Sequence, residues 1–142
     1  ALPLTSPVSG LDYAHLYDEK SELYCSSAHP LFSGDSDPGD DLLAQYDAIA
    51  PSFRMTAETI GLHQMLNCTA TASDREGIAF LILTGRFIGY LPDHFAAQWV
   101  EKKLMRAVAP SRLNFSSKIA IVTRKGRRPN AILERFLQAL DL

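Results

Sequence analysis

The chain has 142 residues, of which 46% are hydrophobic and 21% charged, and its net charge is −2. These values are typical of one soluble globular domain, and the length leaves no room for a second full domain. No apolar run approaches the roughly 20 residues that a membrane helix needs, so composition excludes a transmembrane protein.

Short strands and helices alternate through the first half of the chain. A strand is predicted over 22–26, where polar and apolar residues alternate. Residues 34–41, GDSDPGDD, have loop composition and predict a surface turn. A helical turn over 41–45 and a strand over 47–50 follow, and Pro51 ends that strand.

The middle of the chain begins with a weakly amphipathic helix over 56–66 and a strand over 67–72. Ser73 and Glu76 have the spacing of a capping box, in which each side chain accepts a bond from the other residue's amide. This spacing predicts that a helix begins at Asp74.

A continuous apolar run over 77–83 predicts that this helix is buried, and Gly85 supplies the left-handed residue that ends it. Residues 86–91 predict a strand, because they are rich in β-branched and aromatic side chains. Pro92 then ends the strand, and Asp93 is a suitable N-cap for one more helix.

Two strands, over 104–108 and 115–123, precede a final helix that Asn130 introduces. This helix carries an apolar stripe, formed by Ile132, Leu133, Phe136, Leu137 and Leu140. Strands alternate with helices throughout, which favours a layered α/β domain whose helices cover a parallel or mixed sheet.

The charges are distributed unevenly. Residues 1–50 carry nine acids and one lysine, whereas residues 102–128 carry nine Lys or Arg and no acid. The basic run lacks the interleaved aromatic side chains of a single-strand-binding platform, so we interpret it as a solvated surface, with a phosphate contact as the alternative.

The acidic loop resembles a calcium loop only superficially. Asp35, Asp37 and Asp41 alternate, but Tyr46 occupies the twelfth position, where a bidentate glutamate is required. The four histidines lack metal-ligand spacing, and the sequence contains no nucleophile elbow, Walker loop or dinucleotide fingerprint. We therefore expect no metal, no cofactor and no catalysis, and we interpret Cys25 and Cys68 as buried free thiols.

Small-ligand binding has better support. Pro51, Ser52 and Phe53 follow one predicted strand, and Thr71 and Ser73 lie at the end of the next. Open α/β sheets present their ligand crevice at such strand ends, where helix-start amides and hydroxyl groups suit a small anion. Phe53 could contribute an aromatic wall. Ordinary capping by Ser73 and core packing by Phe53 are the alternatives.

Three segments resemble the effector-binding domain of LysR-type bacterial transcriptional regulators. Residues 83–92, LTGRFIGYLP, are similar to that family's segment of helix, glycine and G-I-x-x-L-P. Residues 16–31 are similar to its strand that ends in a His-Pro-Leu turn, and residues 118–140 to its closing strand and C-terminal helix. The three matches occur in the family's order and cover nearly the whole chain.

The resemblance implies a three-layer fold of the periplasmic-binding-protein type II kind, with a central mixed sheet flanked by helices. It also implies a cytoplasmic, non-enzymatic homodimer or homotetramer. In this family two subdomains joined by crossover strands close on a small effector. A separate N-terminal winged helix-turn-helix binds DNA, and we expect that segment to lie outside this chain.

By the same resemblance, residues 1–22 are a remnant of the first subdomain and residues 23–123 are the second subdomain with both crossovers. Residues 124–142 form a helix that would return to the first subdomain, so its apolar stripe should be exposed or covered in a dimer. Residues matching Pro51 to Phe53 line the family's cleft. Ser26, Ser27 and Thr123 would lie at the hinge, and Ser27 and Thr123 are further candidates for effector contact.

Two other classes of protein remain as alternatives. A solute-binding protein of a transport system uses the same two-lobed fold, and a signal segment upstream would support it. An enzyme would have to rely on Asp74, Arg75, Asp93 and His94, for which roles at helix starts are a sufficient explanation.

Overall fold

The structure is a computed structural model that describes residues 2–3 (backbone only), 7–35, 37–128 and 130–141. Strands and helices alternate along the chain, as the sequence predicts. The strands are β1 Leu2–Pro3, β2 Leu11–Ser26, β3 Asp47–Pro51, β4 Asn67–Ala72, β5 Gly89–Pro92, β6 Met105–Ala107 and β7 Asn114–Arg124. The helices are α1 Asp40–Leu43, α2 Ala57–Gln64, α3 Arg75–Leu83, α4 Asp93–Val100 and α5 Ala131–Ala139, with a 3-10 turn at Pro30–Ser33.

The chain divides into two compact units. Unit 1 is drawn from Ala1–Glu19 and Ser116–Leu142, and unit 2 is Lys20–Phe115. Strands β2 and β7 each continue from one unit into the other. The predicted division is a remnant of a first subdomain at 1–22, a second subdomain at 23–123 and a returning helix at 124–142. This division stays a prediction.

Unit 2 contains a mixed set of strands. β3 and β4 are parallel neighbours. Ile88, which directly precedes β5, forms a parallel bridge with Ala48 of β3. β5 and β6 both pair antiparallel with β2. The predicted α/β class with a mixed sheet is therefore confirmed, and β3, β4 and β5 all run in one direction.

The core of unit 2 consists of two clusters of buried side chains. Leu23, Leu43 and Ile88 belong to one cluster, and Ile49 and Ile82 belong to the other. Full burial of each such side chain contributes about 1.5–3 kcal/mol. The apolar helix α3 buries Ile78, Ala79 and Ile82 but leaves Phe80 67% exposed, so it is only partly enclosed.

The helix starts differ from the predicted ones by one residue. Asp74, and not Ser73, caps α3, because its carboxylate accepts from the Gly77 amide at 2.7 Å. Pro92 occupies the N-cap position of α4, so Asp93 is the first helical residue and not the cap. Gly85 follows the end of α3 with a φ of 81°, as predicted.

Two arginines fix the acidic loop. Arg112 donates to the carboxylate of Asp37 at 3.1 Å and to the backbone oxygen of Pro38 at 2.8 Å. Arg106 donates to the carbonyl oxygens of Gly34 and Asp35, at 3.3 and 3.0 Å. Part of the basic run therefore neutralises this loop, and the described residues contain no group of side chains suited to hold a metal ion.

In unit 1, β7 lies between β1 and β2, and it pairs antiparallel with β1. Helix α5 is capped by Asn130, whose side chain accepts from the amides of Ile132 and Leu133. Ile132 is 81% exposed and Phe136 54%, which confirms the exposed stripe at these two positions. The other members of the stripe, Leu133, Leu137 and Leu140, are half-buried.

Both cysteines are free thiols, but only one of them is buried. Cys25 is enclosed in unit 2, where burial raises the pKa of its thiol to about 11. Cys68 is exposed, so the prediction of two buried thiols is wrong at this position. Within the part of the chain that the structure describes, no helix is long and apolar enough to cross a bilayer.

Candidate functional site

The predicted ligand-binding residues of β3 and β4 come together at one edge of the sheet. Ala50 lies opposite Thr71 and Pro51 opposite Ala72, because the two strands are parallel. We call residues 51–53 and 71–73 the strand-end rim. The rim therefore unites five of the seven predicted site residues, which are Pro51, Ser52, Phe53, Thr71 and Ser73.

The side chains of the strand-end rim face solvent. Ser52, Thr71 and Ser73 are exposed, Pro51 is half-buried, and Phe53 is 51% exposed. Core packing therefore does not explain Phe53. An aromatic ring beside three hydroxyl groups can contact both an apolar group and a polar group of a small ligand.

Three helices begin at the same edge. α2 and α3 follow β3 and β4, and α4 follows β5, which runs in the same direction. The side chain of Thr56 caps α2 by accepting from the Thr59 amide at 3.2 Å. The positive ends of three helix dipoles therefore lie along the edge that carries the rim, which favours a negatively charged group there.

The cap of α3 affects the interpretation of Ser73. Since the Asp74 carboxylate accepts from the Gly77 amide, the cap role predicted for the Ser73 hydroxyl belongs to its neighbour. Capping therefore does not account for a serine at position 73. The same carboxylate adds a negative charge beside the rim, which limits how closely an anion can approach α3.

Charged side chains flank the strand-end rim. Arg54 directly follows Phe53 and is exposed, and the Arg75 guanidinium lies 5.7 Å from the centre of the Phe95 ring. Arg54 is not among the ligand residues predicted from the sequence. Its position beside the Pro-Ser-Phe segment was the only available signal, and a cation there can contact a carboxylate.

The other two predicted site residues do not belong to the strand-end rim. Ser27 follows β2, which is antiparallel to β5, and the register places Ser21 opposite Pro92 and Tyr24 opposite Gly89. Ser27 therefore lies toward the start of β5, at the opposite edge from the rim. Thr123 is half-buried on β7 and belongs to unit 1. Contact of either residue with a ligand remains a prediction.

The four candidates for catalysis lie at the starts of α3 and α4. The Asp74 carboxylate caps α3, and the Asp93 carboxylate accepts from the His94 amide at 2.6 Å. The His94 Nδ1 atom is 3.8 Å from the Asp93 Oδ1 atom, beyond a normal hydrogen bond. These contacts agree with roles at helix starts.

Comparison with known families gives one clear result. The model of the family described as the LysR substrate binding domain matches residues 1–141. A curated relative, the HTH-type transcriptional activator BauR of Pseudomonas aeruginosa, is 56% identical over 140 residues. The match covers 98% of this chain and 46% of BauR, so the chain spans about half the length of this relative.

Solved structures show the same fold. The effector domain of the transcriptional regulator AmpR of Pseudomonas aeruginosa is similar with a TM-score of 0.73 at 12% identity, covering 96% of this chain and 66% of that one. The CcmR regulatory domain of Synechocystis, solved in complex with 2-PG, gives 0.74 at 16% identity and covers 96% and 69%. These regulatory domains have the type II periplasmic-binding-protein-like fold, so the predicted fold is confirmed.

Proposed function

The chain belongs to the family of LysR substrate-binding domains, and from this premise we propose that it senses a small effector through its strand-end rim. The observation that carries this proposal is the meeting of Pro51–Ser52–Phe53 with Thr71–Ser73 at one exposed edge. Binding there would control transcription, as the family and the activator BauR indicate.

The chemistry of the rim supports a small anionic or aromatic effector. Three hydroxyl groups and the starts of α2 and α3 favour a carboxylate or similar group, and Phe53 offers an aromatic face. Arg54 adds a positive charge beside them. The Asp74 carboxylate opposes a second negative charge near α3, so an effector with one acidic group fits the rim better than a polyanion.

DNA binding would belong to a winged helix-turn-helix outside this chain, in a cytoplasmic homodimer or homotetramer. An effector can shift such a protein only by binding its two arrangements with different affinity. Contacts to the effector must therefore change when the two subdomains close. For this reason we expect effector binding to be complete only in the intact protein.

The regulator proposal has better support than the two alternatives. A transport protein with this fold would share the rim, but the curated relative of this chain is a transcriptional activator. An enzyme would need reactive groups at the rim, whereas the Asp74 and Asp93 carboxylates accept backbone hydrogen bonds at helix starts. The family consists of regulators, and that is the function we propose.

The sequence encoded immediately upstream of this chain in its gene tests the proposed class of protein. We expect a winged helix-turn-helix of roughly sixty residues, a linker helix and an α/β half-domain. A cleavable apolar leader in that place would move the protein out of the cytoplasm and would favour ligand capture for transport.

A further inference from the structure

The face of α2 that is buried against the core of unit 2 is unusually polar. The two buried residues of this helix, Thr59 and His63, are both polar, whereas Ile60 is 41% exposed. Apolar burial normally attaches a helix to a sheet. Leu62 packs against the core cluster and gives α2 one apolar contact, but the two buried polar side chains also need hydrogen-bond partners.

Polar contacts of the inward face run along the helix from its first turn. The Thr56 and Thr59 hydroxyl oxygens are 2.9 Å apart, and the His63 Nδ1 atom is 2.8 Å from the Thr59 carbonyl oxygen. A carbonyl oxygen only accepts, so Nδ1 carries the proton. The Nε2 atom of the neutral His63 ring is therefore an acceptor.

The acceptor Nε2 of His63 and the hydroxyl of Tyr90 on β5 share one feature. Among the described residues neither atom has a protein hydrogen-bond partner, although both atoms are buried. The two residues are each 6% exposed, and their rings lie 5.1 Å apart at an interplanar angle of 52°. An acceptor and a donor without partners are thus buried side by side in unit 2.

The surroundings of the pair are largely apolar, although the Arg112 guanidinium and the Cys68 thiol lie near enough to affect the pKa of the Tyr90 hydroxyl. Tyr90 belongs to the same core cluster as Leu66 and Leu113, and its ring is 5.4 Å from that of Phe115. Buried polar atoms in such a place are nearly always paired with protein or water, since an unpaired atom loses its hydration without compensation. A single water molecule can accept from one group and donate to another.

We infer that one water molecule binds between these two residues, accepting from the Tyr90 hydroxyl and donating to the His63 Nε2 atom. The water attaches the carboxyl end of α2 to β5. With the bonds through Thr59, it completes a polar connection from the start of α2 to the sheet. This site is independent of the proposed effector binding at the strand-end rim.

Nuclear magnetic resonance on the wild-type, 15N-labelled 142-residue chain tests the water directly. We expect a protonated Nδ1 and an unprotonated Nε2 for His63, together with a water-to-ring nuclear Overhauser effect whose sign indicates a long-lived bound water. The inference is overturned if that effect is missing, or if a high-resolution crystal structure shows the Tyr90 hydroxyl bonded directly to Nε2.

A pair of variants tests the attachment of α2. Tyr90→Phe removes the donor, and Tyr24→Phe is the matched control, because Tyr24 is equally buried but donates to Glu22 at 3.1 Å. We expect Tyr90→Phe to abolish the water signal and to speed amide exchange in α2 at least tenfold relative to α3. Tyr24→Phe should do neither.

If the α2 amides exchange equally fast in Tyr90→Phe and Tyr24→Phe, the inferred attachment of α2 through the water is wrong. If Tyr90→Phe fails to fold, the wild-type water signal decides the question alone. The amides of α3 serve as the reference within each variant, so a general loss of stability does not imitate the local effect.

Discussion

Gly85 lies so close to Ala28 that a Cβ atom on Gly85 would be 2.7 Å from the Cβ atom of Ala28. Gly85 follows the end of α3, and Ala28 lies in the turn after β2. The glycine also has a φ of 81°, which L side chains rarely adopt. The close approach and the backbone conformation therefore require glycine for separate reasons.

We predict that Gly85→Ala lowers the free energy of unfolding by about 2–4 kcal/mol, because backbone strain adds to a steric overlap with the Ala28 turn. Gly126→Ala is the control, since its φ is 66° but nothing lies within 4 Å of the added atom. Denaturant titration should show a loss of only about 1 kcal/mol there. Equal losses of unfolding free energy in both variants would refute the contribution of steric overlap with Ala28.

Arg112 should hold the acidic loop locally while contributing little to global stability. Its guanidinium group is bonded to Asp37, Pro38 and Asp40, but exposed charge pairs contribute only about 0.2–1 kcal/mol. We predict that Arg112→Gln speeds amide exchange several-fold over residues 35–41 and lowers the free energy of unfolding by less than about 1 kcal/mol. Replacement of the exposed Lys102 by glutamine should change neither quantity.

Stability should fall as the solution is acidified below pH 6.5. Burial lowers the pKa of both His29 and His63 from the ordinary value of 6.5. The unfolded chain therefore binds more protons than the folded chain in this range, and the stabilisation present above pH 6.5 is lost as pH decreases. Each histidine contributes a slope of up to about 1.4 kcal/mol per pH unit.

His29→Asn isolates one of these contributions. The His29 Nδ1 atom accepts from the Leu31 amide at 3.1 Å, and asparagine can make the same cap without titrating. Denaturant titrations between pH 5.0 and pH 7.5 should therefore show a shallower pH dependence in the variant. An unchanged slope would mean that His29 is already free to ionise in the folded chain.

The exposed side chains of α5 should promote self-association of the 142-residue chain. Ile132 and Phe136 are 81% and 54% exposed, and contiguous apolar surface favours association. We predict that the double variant Ile132→Ser with Phe136→Ser has a lower sedimentation coefficient at high protein concentration. Val8→Ser, at a single residue that is 59% exposed, is the control and should behave as the wild type.

The sequence predicts best those elements whose signals are local. β4 covers the predicted residues 67–72, and Gly85 ends α3 as its sequence position indicates. Pro51 is the last residue of β3, and parallel pairing with β4 then brings the rim residues together. The order of strands and helices was therefore enough to locate most of the candidate site.

Long-range relationships were not predictable in the same way. Arg106 and Arg112 donate hydrogen bonds to the acidic loop, which lies far from them in sequence, so no local pattern reveals these bonds. Strand β2 begins at Leu11 and not near residue 22, because its first half is mainly exposed and lacks a buried alternation. The position of Ser27 depends on the antiparallel register of β2 with β5, which only the structure supplies.

Effector binding to the intact protein is the most direct test of the strand-end rim as the effector site. Isothermal titration with a panel of small aromatic and aliphatic carboxylic acids would compare the wild type, Phe53→Ala and Phe80→Ala, since both phenylalanines are exposed in unit 2. We expect one of these acids to bind the wild type and Phe80→Ala equally but to bind Phe53→Ala at least about tenfold more weakly, a loss of about 1.4 kcal/mol in binding free energy. An acid that binds all three proteins with the same Kd would contradict the assignment of the strand-end rim as the effector site.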